Sequence, residues 1–325
     1  MTRRFVAVAL AVLSLFVVAA PSAAQPYPSR NVTIIVPYPA GGPTDETARV
    51  IANFLSKKLG HSFVVENVTG GSTIIATNRV AHATPDGYTL LLHNLQISAN
   101  VTLFKNLPFD TAKDFIPVML INKNPLLLVG RPGLAPNNLK ELIALMKKER
   151  LREALPGFGT TGHLTSALFA QEAKVQIDFI PYRGAAPAMN DLLGDHVDLF
   201  VATPQSVVGH VAAGKLKAYA ITSKDKLPAF PTAESLVDAL GPKFEIVFWQ
   251  GLFAPTGTPE AVIKTLNAAL QEAIADPTIV KTWAAQGFDP FPPNQRSPAA
   301  AAAMMKSEIA RWGEVIRDNN IQVAQ

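Results

Sequence analysis

The chain has 325 residues, of which 48% are hydrophobic and 17% charged; Lys+Arg number 29, Asp+Glu 25, and cysteine is absent. This composition excludes a disordered chain, a disulfide scaffold and thiolate chemistry. The net charge of +4 is small and forms no basic stripe, so nucleic acid is not an expected partner. At roughly 100–200 residues per domain, the length implies two lobes with an ample core.

The chain opens with Arg3 and Arg4, an uncharged apolar run from Phe5 to Ala20, and Pro21-Ser22-Ala23-Ala24. A basic start, a short apolar run and a small-x-small end are the parts of a cleavable signal peptide. The run is shorter than the roughly 20 apolar residues of a membrane anchor. Cleavage is expected after Ala24, with residues 1–24 as the signal peptide and an exported, soluble mature chain.

Beyond it, short apolar runs alternate with helical patterns. Asn31–Pro37 reads as a buried strand and Thr44–Leu59 as a helix stopped by Gly60. Ser62–Glu66 and Tyr88–His93 read as strands, the second after the turn Pro85-Asp86-Gly87. Pro117–Ile121 and Pro125–Val129 follow almost back to back. Leu139–Lys148 reads as a helix, Val175–Ile180 as a strand, Ala186–Leu193 as a helix and Val197–Ala202 as a strand. Pro204–Ala213 is a helix, Leu216–Thr222 a strand, and Phe244–Trp249 extended. Thr258 then caps a helix with Pro259 at its first position. Phe288–Pro298 is a proline-rich loop and Ala299–Asn319 the last helix. Such alternation argues for parallel sheets covered by helices.

Several motifs are decoys. Gly157-Phe158-Gly159-Thr160-Thr161-Gly162 matches a dinucleotide-binding pattern, with Asp178 about 20 residues on. That pattern needs a strand just before its first glycine, and the charged, proline-ended stretch 149–156 does not read as one. Gly209-x4-Gly214-Lys215 imitates a phosphate loop, but Leu216 replaces the magnesium-holding Ser/Thr, and a glycine helix cap explains it better. The six histidines have no metal-ligand spacing, so neither a metal nor a cofactor is expected.

The informative constellation is a set of glycine-bearing strand-to-helix loops. The first is Tyr38-Pro39-Ala40-Gly41-Gly42-Pro43-Thr44-Asp45, the second runs from Gly157 to Gly162, and the third is Pro181-Tyr182-Arg183-Gly184. Glycines let the backbone approach a ligand, and helix amino ends offer unpaired amides and partial positive charge. In α/β sheets, ligands sit beyond the carboxyl ends of the strands. Three such loops, spread over both halves of the chain, describe a cleft between two lobes.

On these residues the chain resembles the periplasmic substrate-binding proteins of tripartite tricarboxylate transporters, the Bug proteins. The resemblance rests on VPYPAGGPTDETAR at the first loop, VEN at Val65–Asn67, PDGYTLL at Pro85–Leu91 and LPFD at Leu107–Asp110. It continues through GTTGHL at Gly159–Leu164, PYRGAAPA at Pro181–Ala188 and WQGLFAPTGTP at Trp249–Pro259. Where the family usually has Arg-Pro-Gly-Ala-Gly-Gly, this chain has Val68-Thr69-Gly70-Gly71-Ser72-Thr73.

The resemblance implies an α/β, type II periplasmic binding-protein fold whose two lobes are joined by a two-strand hinge. Lobe 1 would comprise 25–122 and 250–325, lobe 2 would comprise 123–249, and the crossings would lie near Asn122 and Trp249. The implied ligand site draws on Tyr38, Pro39, Ala40, Gly41, Gly42, Thr44 and Asp45. It adds Gly70, Gly71, Ser72, His93, Gly159, Thr160, Thr161, His163, Tyr182, Arg183 and Gly184, with Asp198 on a cleft-facing strand. The implied partners are a small carboxylated solute and the integral-membrane subunits of a transporter, with the receptor a monomer and no catalysis expected. A secreted hydrolase-like enzyme is the rival, with Thr160 and His163 as its only nucleophile–base candidates. A soluble partner of a two-component sensor would share the same sequence features.

Overall fold

The computed structural model describes residues 26–323. The expected signal peptide, 1–24, lies outside them. Among the described residues, no helix is long and apolar enough to cross a membrane.

The chain enters through β1 (Val32–Val36), α1 (Pro43–Leu59), β2 (Phe63–Asn67), α2 (Ile74–Ala81), β3 (Thr89–Asn94), α3 (Gln96–Leu103) and β4 (Phe115–Pro125). A second unit follows: β5 (Leu127–Gly130), α4 (Leu139–Met146), β6 (Leu151–Leu155), α5 (Thr161–Ala173), β7 (Ile177–Pro181) and α6 (Ala185–Leu193). It continues with β8 (Leu199–Ala202), α7 (Pro204–Ala212), β9 (Lys217–Ile221), β10 (Glu234–Ser235) and α8 (Leu236–Leu240). The chain then returns through β11 (Val247–Pro255), α9 (Glu260–Ala273), α10 (Pro277–Ala285), β12 (Asp289–Pro290) and α11 (Pro298–Asp318).

Two six-stranded sheets result, ordered β12-β4-β11-β3-β1-β2 and β10-β9-β5-β8-β6-β7. In the first, β1 is parallel to β2 and β3, whereas β11 is antiparallel to β3 and β4. The second repeats the plan: β6 is parallel to β7 and β8, and β5 is antiparallel to β8 and β9. β5 and β11 are thus the strands that begin after a crossing between the units, and the short edge strand β12 is antiparallel to β4 as well.

The crossings lie a few residues from where the sequence places them. Asn122 pairs with Gln250, and Trp249 with Lys123, all inside the first sheet. The chain changes sheet at Leu126 and again between Phe244 and Val247. Trp249 is fully buried, and its indole donates to Glu308 in α11, so it belongs to the first lobe's core. Thr222 holds both crossings. Its hydroxyl accepts from Leu126 N–H (2.8 Å) and donates to Ile246 C=O (2.6 Å). Its own amide donates to Leu126 C=O, and its carbonyl accepts from Ile246 N–H.

Three other elements differ from expectation. Thr258 does not cap α9; its hydroxyl donates to Pro255 C=O, and Pro259 occupies the cap position. The proline-rich stretch after Phe288 carries the short strand β12 and a 3-10 turn at Pro293–Gln295. The charged stretch before Gly157 is the strand β6, paired in parallel with both β7 and β8. Glu153 in this strand is fully buried. Burial pushes its pKa up to about 8, although a hydrogen bond donated by Ser166 from α5 works the other way.

Two outcomes follow. Thr222→Val should remove both hydroxyl bonds and destabilise the protein by about 2–6 kcal/mol, because each buried partner left unpaired costs about 1–3 kcal/mol. Guanidinium unfolding measures this, and a loss below about 0.5 kcal/mol would mean that Thr222 does not hold the crossings. For Glu153, the unfolded chain loses its proton near 4.5 while the folded chain keeps it to about 8. Stability is therefore drained as pH rises between those values and is level on either side. Glu153→Gln should be stabilised relative to wild type progressively over that window in urea unfolding; a difference independent of pH would refute the neutral carboxyl.

Candidate functional site

Four helices present their amino ends to the space between the sheets. Their cap residues are Gly42 for α1, Thr160 for α5, Gly184 for α6 and Thr203 for α7. First-turn amides lack acceptors inside the helix, and each helix start acts as roughly half a positive charge. The four starts converge on a cavity of about 140 Å³. Its walls include Tyr38, Pro39, Ala40, Gly42 and Thr44 from the first lobe, and Thr160, Thr161 and Gly184 from the second. Leu126 and Phe248, from the two crossings, also line it, together with Asn94, Ala185–Pro187, Phe200–Thr203 and Ser206. Among the described residues, those lining this inner chamber include no charged side chain.

The close approach of α5 to β8 requires glycine. A Cβ on Gly162 would stand 2.9 Å from Val201 C=O, so any larger residue would push the helix start off the strand. Gly184, with φ +113°, lies against Pro39 of the opposite lobe, where a Cβ would meet Pro39 Cγ at 2.9 Å. Gly42 differs: its φ is −90°, and an added Cβ would meet only Pro39 C=O at 3.6 Å.

An outer chamber adjoins the inner one through Tyr38, Pro39, Thr160 and Gly184. It adds Gly70, Ser72, Tyr182 and Arg183 from the expected set. A side chamber holds Gly41. Gly70, Gly71, Ser72 and Thr73 all have positive φ, from +50° to +123°. Ser72 and Thr73 adopt a conformation costing a non-glycine residue about 1–3 kcal/mol. Asn100 compensates by donating to Ser72 C=O (3.0 Å) and Thr73 Oγ1 (3.1 Å).

Six expected residues do not line these chambers. Asp45 is buried behind the first loop; burial opposes its charge, but bonds from Arg49, Gly41 N–H and Asn67 hold its pKa below the ordinary value. It shapes the loop. Asn67 also donates to Tyr38 C=O (2.9 Å), a positioning role that the VEN motif alone did not disclose. Gly71 supports its turn without reaching the cavity. His93 is fully buried behind Tyr38, accepting from Asn94 N–H and contacting Thr73 Oγ1 at 3.2 Å. Gly159 donates its amide to His163, whose ring sits between Phe158 and Phe179. Asp198 precedes β8, at the amino end of a strand whose carboxyl end faces the cleft. There Arg131 and Arg152 pair with it; these bonds outweigh burial and lower its pKa. Strand direction, not charge, excludes it from the cleft.

The nucleophile–base pair is likewise not assembled. Thr160 Oγ1 donates to Gly157 C=O (2.8 Å) and accepts from His163 N–H, which is helix capping. Thr161 has an unengaged group on the chamber wall: its buried Oγ1 has no partner among the described residues. Asn94 is also central, accepting from Tyr38 OH (2.8 Å) and donating to Thr44 Oγ1 (3.2 Å).

Residues 47–321 match the family model described as "Tripartite tricarboxylate transporter family receptor". The chain belongs to this family. Protein BugT of Bordetella pertussis is 34% identical over 322 residues, covering 97% of this chain and 98% of BugT. The solved periplasmic binding protein BugD is 36% identical with a TM-score of 0.86, covering 91% of this chain and 99% of that one. MatC from Rhodopseudomonas palustris, solved with bound malate, is 35% identical with a TM-score of 0.84 over 89% of this chain and all of MatC's solved chain (100%). The two sheets and two crossings are the type II periplasmic binding-protein fold of this family.

The receptor's two buried histidines are uncharged. Burial lowers His93 to about 3 and His163 to about 4. Imidazole resonances of both should therefore stay in the neutral form at pH 6 in NMR titration. A midpoint near the ordinary 6.5 for either ring would show that solvent reaches it.

Proposed function

We propose that this receptor captures a small carboxylated solute between its lobes in the periplasm and delivers it to the membrane subunits of its transporter. The observation that carries the reading is the convergence of four helix amino ends on a chamber lined by no charged side chain. Backbone amides and helix dipoles suit an anion without the desolvation of a buried cation. The malate bound by MatC fits the same chemistry. Removal of residues 1–24 on export, two lobes meeting at Leu126 and Ile246, and closure about those crossings belong to this proposal.

The solute carboxylate lies against the starts of α1 and α5, within reach of Thr44, Thr161 and Gly162. Tyr38 forms part of the wall, and its hydroxyl is kept protonated by burial, with pKa well above the ordinary 10.0. Catalysis is not part of the reading, because the Thr160 hydroxyl proton points to Gly157 C=O and not to an imidazole.

Thermal shift against a panel of small carboxylates, followed by calorimetric titration, tests the function, since a bound ligand stabilises by RT ln(1 + [L]/Kd). Gly42→Asp should fold, as its Cβ has room, yet place a carboxylate beside the bound one and abolish measurable binding. Thr161→Val should weaken binding by about 0.5–1.5 kcal/mol, the net contribution of one hydrogen bond. Wild-type affinity in a folded Gly42→Asp protein would move the ligand away from the first loop.

A further inference from the structure

Gln205 is the second residue of α7. Both polar atoms of its carboxamide, Oε1 and Nε2, are buried without a hydrogen-bond partner among the described residues. A buried amide left unpaired is costly, so such a group calls for an occupant. Asn100 and Gln250 each leave only the carboxamide oxygen unpaired, so Gln205 differs in lacking a partner at both ends. Gln96 Oε1 shares the single Tyr38 hydroxyl proton with Asn94 Oδ1, and its Nε2 donates to Ser72 C=O and Phe158 C=O. Asn94 uses both ends of its carboxamide.

Gln205 lines the side chamber with Gly41, Glu46 and Met189. Pro43, Ala185, Ala186 and Ser206 line both that chamber and the inner one, so the two spaces adjoin across the α1 and α6 helix starts. The Ser206 hydroxyl is engaged with Thr203 Oγ1 at 2.9 Å, which leaves two polar groups on this wall without a hydrogen bond among the described residues, the Glu46 carboxyl and the Gln205 carboxamide. The shape of the carboxamide is informative: Nε2 donates and Oε1 accepts. A solute hydroxyl or amide can satisfy both, whereas a methylene satisfies neither.

We propose that Gln205 is a specificity residue that reads a hydroxyl or amide group on the solute, so that the cleft selects polar-substituted carboxylates over unsubstituted ones of equal length. The inference rests on the carboxylate-receptor reading above. Discrimination arises because the unsubstituted analogue would leave the carboxamide unpaired in a closed cleft, a penalty that the substituted solute avoids.

The test is calorimetric titration with acid pairs that differ by one hydroxyl: malate with succinate, lactate with propionate, and 3-hydroxybenzoate with benzoate. In the wild type, the hydroxylated member of at least one pair should bind about tenfold tighter or more. In Gln205→Met and Gln205→Leu, each checked by circular dichroism, that preference should fall below about threefold while the unsubstituted member keeps its affinity. Equal affinities within every pair overturn the inference, as does a preference that survives both substitutions. Equal weakening of both members also overturns it, because Gln205 would then shape the cleft without reading the hydroxyl. If the folded wild type binds no member of any pair and no other small carboxylate, the receptor reading itself fails and takes this inference with it.

Discussion

Everything in the molecule depends on how the chain passes between its two sheets. It crosses at Leu126 and around Ile246, and the single side chain of Thr222 bonds to the backbone of both. Because each crossing strand runs antiparallel to its new neighbours, the parallel strands of the two sheets point their carboxyl ends at one shared space. Helices that follow those strands must then start there. The convergence of α1, α5, α6 and α7 is a consequence of topology, and the crossings Leu126 and Phe248 become apolar wall of the same cavity. The crossings and the cavity wall are therefore one piece of structure.

That topology also brings helix starts to a chamber whose lining, among the described residues, carries no charged side chain. A Lys or Arg inside the chamber would need to be desolvated and paired, at a cost that often exceeds the Coulombic gain. Helix starts supply positive potential already embedded in the fold, with no side chain to order. The Asp45 carboxylate serves shape, whereas Arg183 lines the outer chamber and Glu46 the side chamber. Asp45 ties Gly41 and Asn67 together, and Asn67 in turn holds the Tyr38 carbonyl, so the first loop is fixed by a buried carboxylate facing away from the cavity.

Much of this was legible in the sequence, and the failures have physical causes. Glycines followed by helix patterns mark the first three loops, because backbone access and capping demand particular residues at particular places. The fourth helix start, at Thr203-Pro204, carried a capping signal but no glycine, and its place in the cleft was missed. Strand β6 was misread because a glutamate counts as charged in a sequence, while burial beside Ser166 keeps Glu153 neutral. Helices α2 and α3 went unseen: Gln96, Ser98 and Asn100 are buried alongside Ile97 and Ala99, which erases the polar–apolar period. The family resemblance placed Asp198 and His93 in the cleft, and motif matching does not say which end of a strand, or which side of a wall, a polar residue occupies.

The Gly157–Gly162 loop sharpens that last point. Once β6 is recognised as a strand, the loop has the strand–glycine–helix order of a dinucleotide site, and Gly162 makes the tight helix–strand contact that such a site requires. What separates the two is the position of the acidic residue. A ribose-binding carboxylate must stand at the carboxyl end of the next strand, beside the loop. Asp178 pairs across from Arg152 near the amino end of β7, whereas Leu155, leading into the loop, pairs with Pro181 at the other end. Asp178 is bonded there to Arg150, far along the strand from the helix start. Register, which no spacing rule supplies, leaves this loop with amides and hydroxyls but no carboxylate, and so suits it to the anionic end of a solute.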